Sequence, residues 1–198
     1  MIRTLLVLQT LTNLFQARPG PGLPDAWSLT RLRRASPPAF QVNAAHTLRI
    51  EANGQAGFAT YRLRRPMRPG ERAGSLSWRW RTGTPLRGAA LRARGRDDSP
   101  ALVVVAFDDG RTLAYTWGNA EPLGDVFRSA TSALRGVVIC RRAEDANGSW
   151  FLESHDPFAD YRRAFNRASH PIVAVGVGAD ADRLYGHTIA EVSELTWE

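Results

Sequence analysis

The sequence contains no lysine and a single cysteine, Cys140. One cysteine excludes an internal disulfide, so the chain itself gives no evidence for an oxidising compartment. Glycine-rich phosphate loops, paired-cysteine metal motifs and nucleophile elbows are also missing. The histidines stand isolated without metal-ligand spacing, which favours surface or hydrogen-bonded roles for each of them: His46, His155, His170 and His187.

All 26 basic residues are arginine, and the formal net charge is +7. Arginine binds phosphate and carboxylate through paired hydrogen bonds, so an anionic partner is one explanation of this composition. The basic clusters at 31–34, 62–68 and 87–96 are, however, interleaved with apolar residues and proline. This dispersion favours a solvated surface over nucleic-acid binding and leaves an arginine-rich binding module as an alternative.

No apolar run is long enough to span a bilayer. Residues 1–17 begin with an early arginine and a short apolar stretch, as a secretory signal does. Four polar residues between positions 9 and 13 interrupt that stretch, and Phe15 stands where cleavage after Ala17 requires a small side chain. We therefore expect residues 1–22 to be a degenerate signal or linker, with an N-terminal helix or a misplaced start as alternatives. Residues 23–198 then form one domain.

A β-hairpin is predicted around Asp109-Gly110, because this dipeptide suits a tight primed turn and separates two apolar runs. The first run, 101–107, is apolar on both of its faces. A strand of that kind is covered on both sides, so we expect the fold to be built around it. Asn147-Gly148 predicts a second primed turn.

Alternation is clearest in the strand 74–81, where Leu76, Trp78 and Trp80 share one face and are predicted to be core. The segment 156–165 predicts the helix, since Asp156 suits an N-cap and Pro157 the first helical position. About nine short strands and one helix predict an all-β, antiparallel sandwich of jelly-roll or lectin-like type.

Acidic residues are the only side chains with potential catalytic or metal-binding roles that cluster in the sequence. They stand at the ends of predicted elements. Turn and cap roles account for most such pairs. A calcium site is the second hypothesis: if the strands at 101–107 and 171–177 are antiparallel neighbours, one sheet end holds Asp97, Asp98, Asp180 and Asp182. Glycoside hydrolysis by these carboxylates is the third, although no strand carries a Glu-x-Asp-x-Glu pattern.

Several motifs together, in this order, resemble a bacterial family called domain of unknown function 3047. They are Leu76-Ser77-Trp78-Arg79-Trp80, Asp97-Asp98-Ser99-Pro100-Ala101 leading into 103–107, Tyr115-Thr116-Trp117-Gly118, Trp150, Asp160-Tyr161 with Phe165, and 175–182. The resemblance covers residues 23–198 and implies an exported or periplasmic protein, with the cytoplasm as the alternative. It implies no established activity or catalytic residues. The chain departs from the family pattern at His155-Asp156 and at Arg183-Leu184.

The leading functional hypothesis is a non-catalytic sandwich that binds a carbohydrate or another component of the cell envelope. Tyr115 and Trp117 are the expected exposed aromatic contacts, with Asp97 and Asp98 beside them. The fold class motivates this hypothesis by analogy, because fold alone does not define function. A glycan-processing hydrolase and an arginine-rich module for an anionic partner are the alternatives.

Overall fold

The computed structural model describes residues 19–32, 35–71 and 75–197. The candidate secretory signal at 1–17 lies outside these residues. Within the described part of the chain, no helix has the length and apolar character needed to cross a membrane.

Six strands form in the first half of the described chain: β1 (Gly20–Pro21), β2 (Trp27–Arg31), β3 (Ala39–Val42), β4 (Leu48–Asn53), β5 (Ala56–Met67) and β6 (Leu76–Thr82). The second half forms the rest: β7 (Ser99–Phe107), β8 (Thr112–Trp117), β9 (Val126–Arg128), β10 (Arg135–Arg141), β11 (Phe151–His155), α1 (Pro157–Phe165), β12 (Ile172–Asp180) and β13 (His187–Trp197). A 3₁₀ turn at Ala143–Asp145 follows β10.

The strands build two sheets that face each other across one main core. One sheet has the order β1-β3-β4-β13-β6-β11, and the other has the order β2-β5-β12-β7-β8-β10-β9. These findings confirm the predicted all-β sandwich with one helix. The pair β8 and β10 runs parallel, which departs from a purely antiparallel arrangement. β1, inside the segment predicted as linker, pairs with β3.

Strand β7 lies inside the second sheet, between β12 and β8. Its residues are buried apart from Ala106, which is half-buried. The prediction of a strand covered on both faces is therefore confirmed. Trp78 and Trp80 of β6 are fully buried and pack edge to face at 5.6 Å in the opposite sheet, so their predicted core role is also confirmed.

The two turns predicted to be primed are not primed turns. Such a turn of type I′ needs positive φ at both central residues, but only Gly110 (+82°) and Gly148 (+83°) have it. In the hairpin, the N–H of Gly110 donates to the carbonyl of Phe107 at 3.2 Å, which closes a turn followed by a glycine bulge. Asp109 instead uses its carboxylate to order the turn, accepting the N–H of Arg111 at 3.1 Å.

Helix α1 forms where its capping residues predict it. The Asp156 carboxylate accepts the N–H groups of Phe158 at 2.9 Å and Ala159 at 3.1 Å. The helix contacts β8, β9 and β10 and buries one apolar face against the main core. It therefore packs on the part of the second sheet formed by β8, β10 and β9.

Candidate functional sites

Tyr115 and Trp117 lie on the inner face of β8 and are fully buried, so their expected exposure is wrong. The alternate residues Leu113, Tyr115 and Trp117 all enter the main core. The Trp117 indole donates to the carbonyl of Arg142 at 2.9 Å, and the Tyr115 hydroxyl donates to Asp160 at 3.1 Å. Neither ring offers a face to a ligand arriving from solvent.

The acidic residues predicted to converge do so in part. Strands β7 and β12 are antiparallel neighbours, with Asp180 opposite Ser99. Carboxylate oxygens of Asp98, Asp180 and Asp182 lie within 4.8 Å of one another. Asp97 is directed elsewhere, because its carboxylate accepts the Thr131 hydroxyl at 2.8 Å. Calcium binding by this acidic cluster (Asp98, Asp180 and Asp182) stays a prediction.

Asp98 connects the acidic cluster to the loop between β12 and β13. Its carboxylate is 1% exposed and accepts the N–H groups of Leu184 at 2.9 Å and Arg183 at 3.3 Å. Burial raises the pKa of Asp98, and the neighbouring Asp182 and Asp97 raise it further, against the effect of the two N–H donors. Asp98 thereby fixes the backbone of the loop 181–186.

Tyr185 is the aromatic residue that this loop presents to solvent. It is 81% exposed, and its φ of +52° lies in the left-handed region that a tyrosine seldom adopts. The ring lies over Gly54, whose N–H donates to the carbonyl of Gly186 at 2.9 Å. On the other side, Leu184 packs against the main core. Tyr185 is thus an exposed ring on an anchored backbone.

The sequence analysis does not predict Tyr185 as a site residue, because it expects the exposed aromatics in the hairpin. The available signal was its place in a polar, glycine-ended loop directly after the Asp180-Ala181-Asp182 motif.

A second cluster joins the open edge of the first sheet to the second sheet. Glu153 and His155 alternate along β11 and so share one face. The His155 Nε2 lies 3.5 Å from the Cys140 sulfur and 3.7 Å from Glu153 Oε2. The other ring nitrogen, Nδ1, lies 3.5 Å from Asp160 Oδ2. We call these four residues the His155 cluster.

The His155 cluster concentrates charge in a largely buried place. Burial lowers the pKa of His155, but hydrogen bonds to Asp160, Cys140 and Glu153 outweigh it and raise the pKa to about 11. Burial raises the pKa of the Cys140 thiol. At neutral pH the ring is therefore an imidazolium between two carboxylates, beside a neutral thiol.

Surrounding groups hold the His155 cluster in place. Glu153 Oε1 accepts the Arg141 guanidinium at 2.6 Å and the Trp80 indole N–H at 3.0 Å. The Trp78 ring stacks on the imidazole with centroids 5.5 Å apart. Sequence reasoning treated His155 as isolated, because Cys140 and Asp160 reach it only through tertiary packing. The Glu153-x-His155 spacing along a strand was the signal available.

Asp109 has a structural role in the hairpin. Its carboxylate accepts the Tyr161 hydroxyl at 2.6 Å and pairs with Arg111. Burial raises the pKa of Asp109, but the hydrogen bonds from Tyr161 and Arg111 outweigh it and lower the pKa below its usual value. Asp109 thus has the turn role expected for the acidic pairs, and its hydrogen bond from Tyr161 connects the hairpin to α1.

We expect Asp109 to support the fold down to moderately acidic pH. Because the pKa of the folded-state carboxyl is lowered, its stabilisation is present above about pH 4 and is lost as pH falls through that lowered pKa. The difference in unfolding free energy between wild type and Asp109→Asn should therefore shrink between about pH 5 and pH 2. Urea denaturation at several pH values measures it, and a constant difference would contradict the assignment.

The protein is a two-sheet β-sandwich, and a solved structure shares this fold over almost the whole length of both chains. It is the "Xyloglucanase domain of NopAA, a type three effector from Sinorhizobium fredii in complex with cellobiose", with a TM-score of 0.52 and 11% identity, covering 96% of this chain and 97% of that one. The agarase AgWH50C matches at a TM-score of 0.45 and 8% identity, covering 94% of this chain and 24% of its own. That second likeness is too distant to support an argument.

The family model described as "Protein of unknown function (DUF3047)" matches residues 25–196. The chain therefore belongs to this family, in agreement with the resemblance of its motifs. No curated protein matches the sequence.

Proposed function

We propose that the protein binds carbohydrate through the loop 181–186, with Tyr185 as the stacking surface. The observation that carries the proposal is an exposed tyrosine held in the left-handed region between anchored residues. Strained backbone of this kind is found more often at functional sites than elsewhere. A rigid tyrosine offers a broad amphipathic face at low entropic cost, which suits the C–H face of a sugar ring.

The acidic cluster supports binding in preference to hydrolysis. A glycosidase places two carboxyl groups on either side of the scissile bond. Asp98 and Asp180 are 1% and 2% exposed, which leaves no room for a sugar between them. Asp182 is more accessible and lies in the same loop as Tyr185, where it can accept hydrogen bonds from sugar hydroxyls.

On the outer face of the first sheet, the arginines are already paired, which disfavours an anion-binding site on this face. Arg81 pairs with Glu191, and Arg79 contacts Glu194 at 3.5 Å. The two guanidinium groups also lie over the Trp150 ring at 4.9 and 5.8 Å. Their charge is thus already matched by protein carboxylates on this face.

We expect Tyr185→Ala to weaken binding of a glycan identified by array screening by at least about tenfold, since the stacking surface is lost. Isothermal titration calorimetry of wild type and variant measures the effect. The same titration in calcium and in EDTA tests the predicted calcium role of the acidic cluster. The matched control is Leu152→Ala, which removes a 63% exposed apolar side chain from a different surface.

Two outcomes would contradict the proposal: no glycan binds the folded protein, or Tyr185→Ala binds as tightly as wild type. A loss of affinity shared by Leu152→Ala would also contradict it, because the effect would not be local. We further propose that the protein lies outside the cytoplasm, among the glycans of the cell envelope. Cell fractionation with mass spectrometry of the mature N-terminus tests that location.

A further inference from the structure

We propose that the His155 cluster is a zinc site, with Cys140 Sγ, His155 Nε2 and Glu153 Oε2 as its protein ligands. Two strands supply these atoms: β10 supplies the cysteine, and β11 supplies the histidine and the glutamate. Helix α1 supplies Asp160, the carboxylate behind the histidine. Cys140, Glu153 and His155 each offer one ligand atom within 4.8 Å of those of the other two.

The distances between the ligand atoms fit a tetrahedral ion. Zinc bonds of about 2.0–2.3 Å at tetrahedral angles place neighbouring ligand atoms about 3.4–3.6 Å apart. The Cys140 sulfur lies 3.5 Å from His155 Nε2, and Glu153 Oε2 lies 3.7 Å from the same nitrogen. Both distances lie close to that spacing.

The groups behind the ligands match those that orient metal ligands elsewhere. A metal-binding histidine usually directs its second ring nitrogen to a carboxylate, and His155 Nδ1 faces Asp160 Oδ2 at 3.5 Å. Glu153 uses Oε1 for Arg141 and Trp80, so that Oε2 is the oxygen turned toward His155. His155 and Glu153 are thereby each oriented by a second contact.

The ligand types favour zinc among the common metals. Thiolate and imidazole exclude calcium and magnesium, which prefer oxygen ligands. Zinc would be bound by the Cys140 sulfur as a thiolate and by Nε2 of a neutral His155 ring, so binding releases protons. Three protein ligands leave a fourth position, and the His155 side chain, 22% exposed, connects the site to solvent.

Cobalt titration of the EDTA-treated protein tests the site directly. We expect one Co²⁺ per chain, with a thiolate-to-cobalt charge-transfer band and the intense visible bands of a tetrahedral ion, both abolished by one equivalent of Zn²⁺. Cys140→Ser should lose the charge-transfer band, and His155→Gln should bind Co²⁺ at least about tenfold more weakly. Asp160→Asn, a positioning variant, should weaken binding about 10–100-fold and keep the charge-transfer band.

The matched control is His170→Gln. His170 lies beside Asp108 and Asp109 in another group of potential ligands, but on the surface and without a cysteine. Its loss should leave the cobalt spectrum unchanged.

The wild-type protein alone provides a second test that does not depend on variants folding. X-ray absorption at the zinc edge should show one sulfur in the coordination shell, and zinc should shift the nitrogen NMR signal of His155 Nε2 to a metal-bound value. An unchanged His155 Nε2 signal with equimolar zinc would overturn the proposal. A zinc shell without sulfur, or a cobalt charge-transfer band that survives in Cys140→Ser, would overturn it as well.

Discussion

Gly178→Ala is expected to destabilise the protein by about 3 kcal/mol or more, a large fraction of the stability of an ordinary domain. A Cβ at Gly178 would overlap the Gly57 carbonyl oxygen and stand 2.6 Å from the Phe58 Cβ. These neighbours belong to β5, which is held between β12 and β2 and so has little freedom to retreat. Urea denaturation followed by tryptophan fluorescence gives the change in unfolding free energy.

A graded series makes this prediction specific. Gly176→Ala brings its Cβ to 2.9 Å from the Ala59 carbonyl oxygen, a milder conflict that should cost less. Gly83→Ala is the control, because its Cβ meets nothing closer than 4.0 Å and its φ is not positive. We expect Gly83→Ala to lie within about 0.5 kcal/mol of wild type or to stabilise slightly. Equal stability of Gly178→Ala and Gly83→Ala would refute the close approach of β12 and β5.

Local patterns in the sequence predicted the elements that depend on local chemistry. The helix follows from Asp156 and Pro157, which cap and start it whatever packs against it. The burial of Trp78 and Trp80 follows from alternation along β6. The same alternation at 113, 115 and 117 indicates that Tyr115 and Trp117 lie in the core, which contradicts the expectation of an exposed aromatic pair.

Other features depend on contacts between distant segments, and no local pattern reports them. The parallel pairing of β8 with β10 arises because the chain first forms β9 at the sheet edge, and β10 then enters between β9 and β8. β2, β3 and β9 are short and carry polar residues, so a run of apolar residues does not mark them. The His155 cluster combines two residues of one strand with Cys140 and Asp160, which only the sandwich and its helix bring near.

Glu153→Ala is expected to destabilise the metal-free protein by about 3–5 kcal/mol, as removal of one partner from a buried ion pair generally does. Glu153 is the shared acceptor of the Arg141 guanidinium, at 2.6 Å, and of the buried Trp80 indole, at 3.0 Å. Its second oxygen faces His155 at 3.7 Å. Truncation would leave two positive groups and one indole N–H near the core without this carboxylate.

Glu191→Ala is the matched control for that measurement. Glu191 also pairs with an arginine, Arg81, but on the outer face of the first sheet, where the arginine side chain is 41% exposed. Water can replace this partner, so the expected loss is at most about 1 kcal/mol. Glu153→Gln, which keeps an acceptor for Trp80 but no charge, should fall between the two alanine variants. Thermal and urea unfolding in EDTA would rank the three, and a loss at Glu153→Ala no larger than at Glu191→Ala would mean that solvent already reaches the His155 cluster.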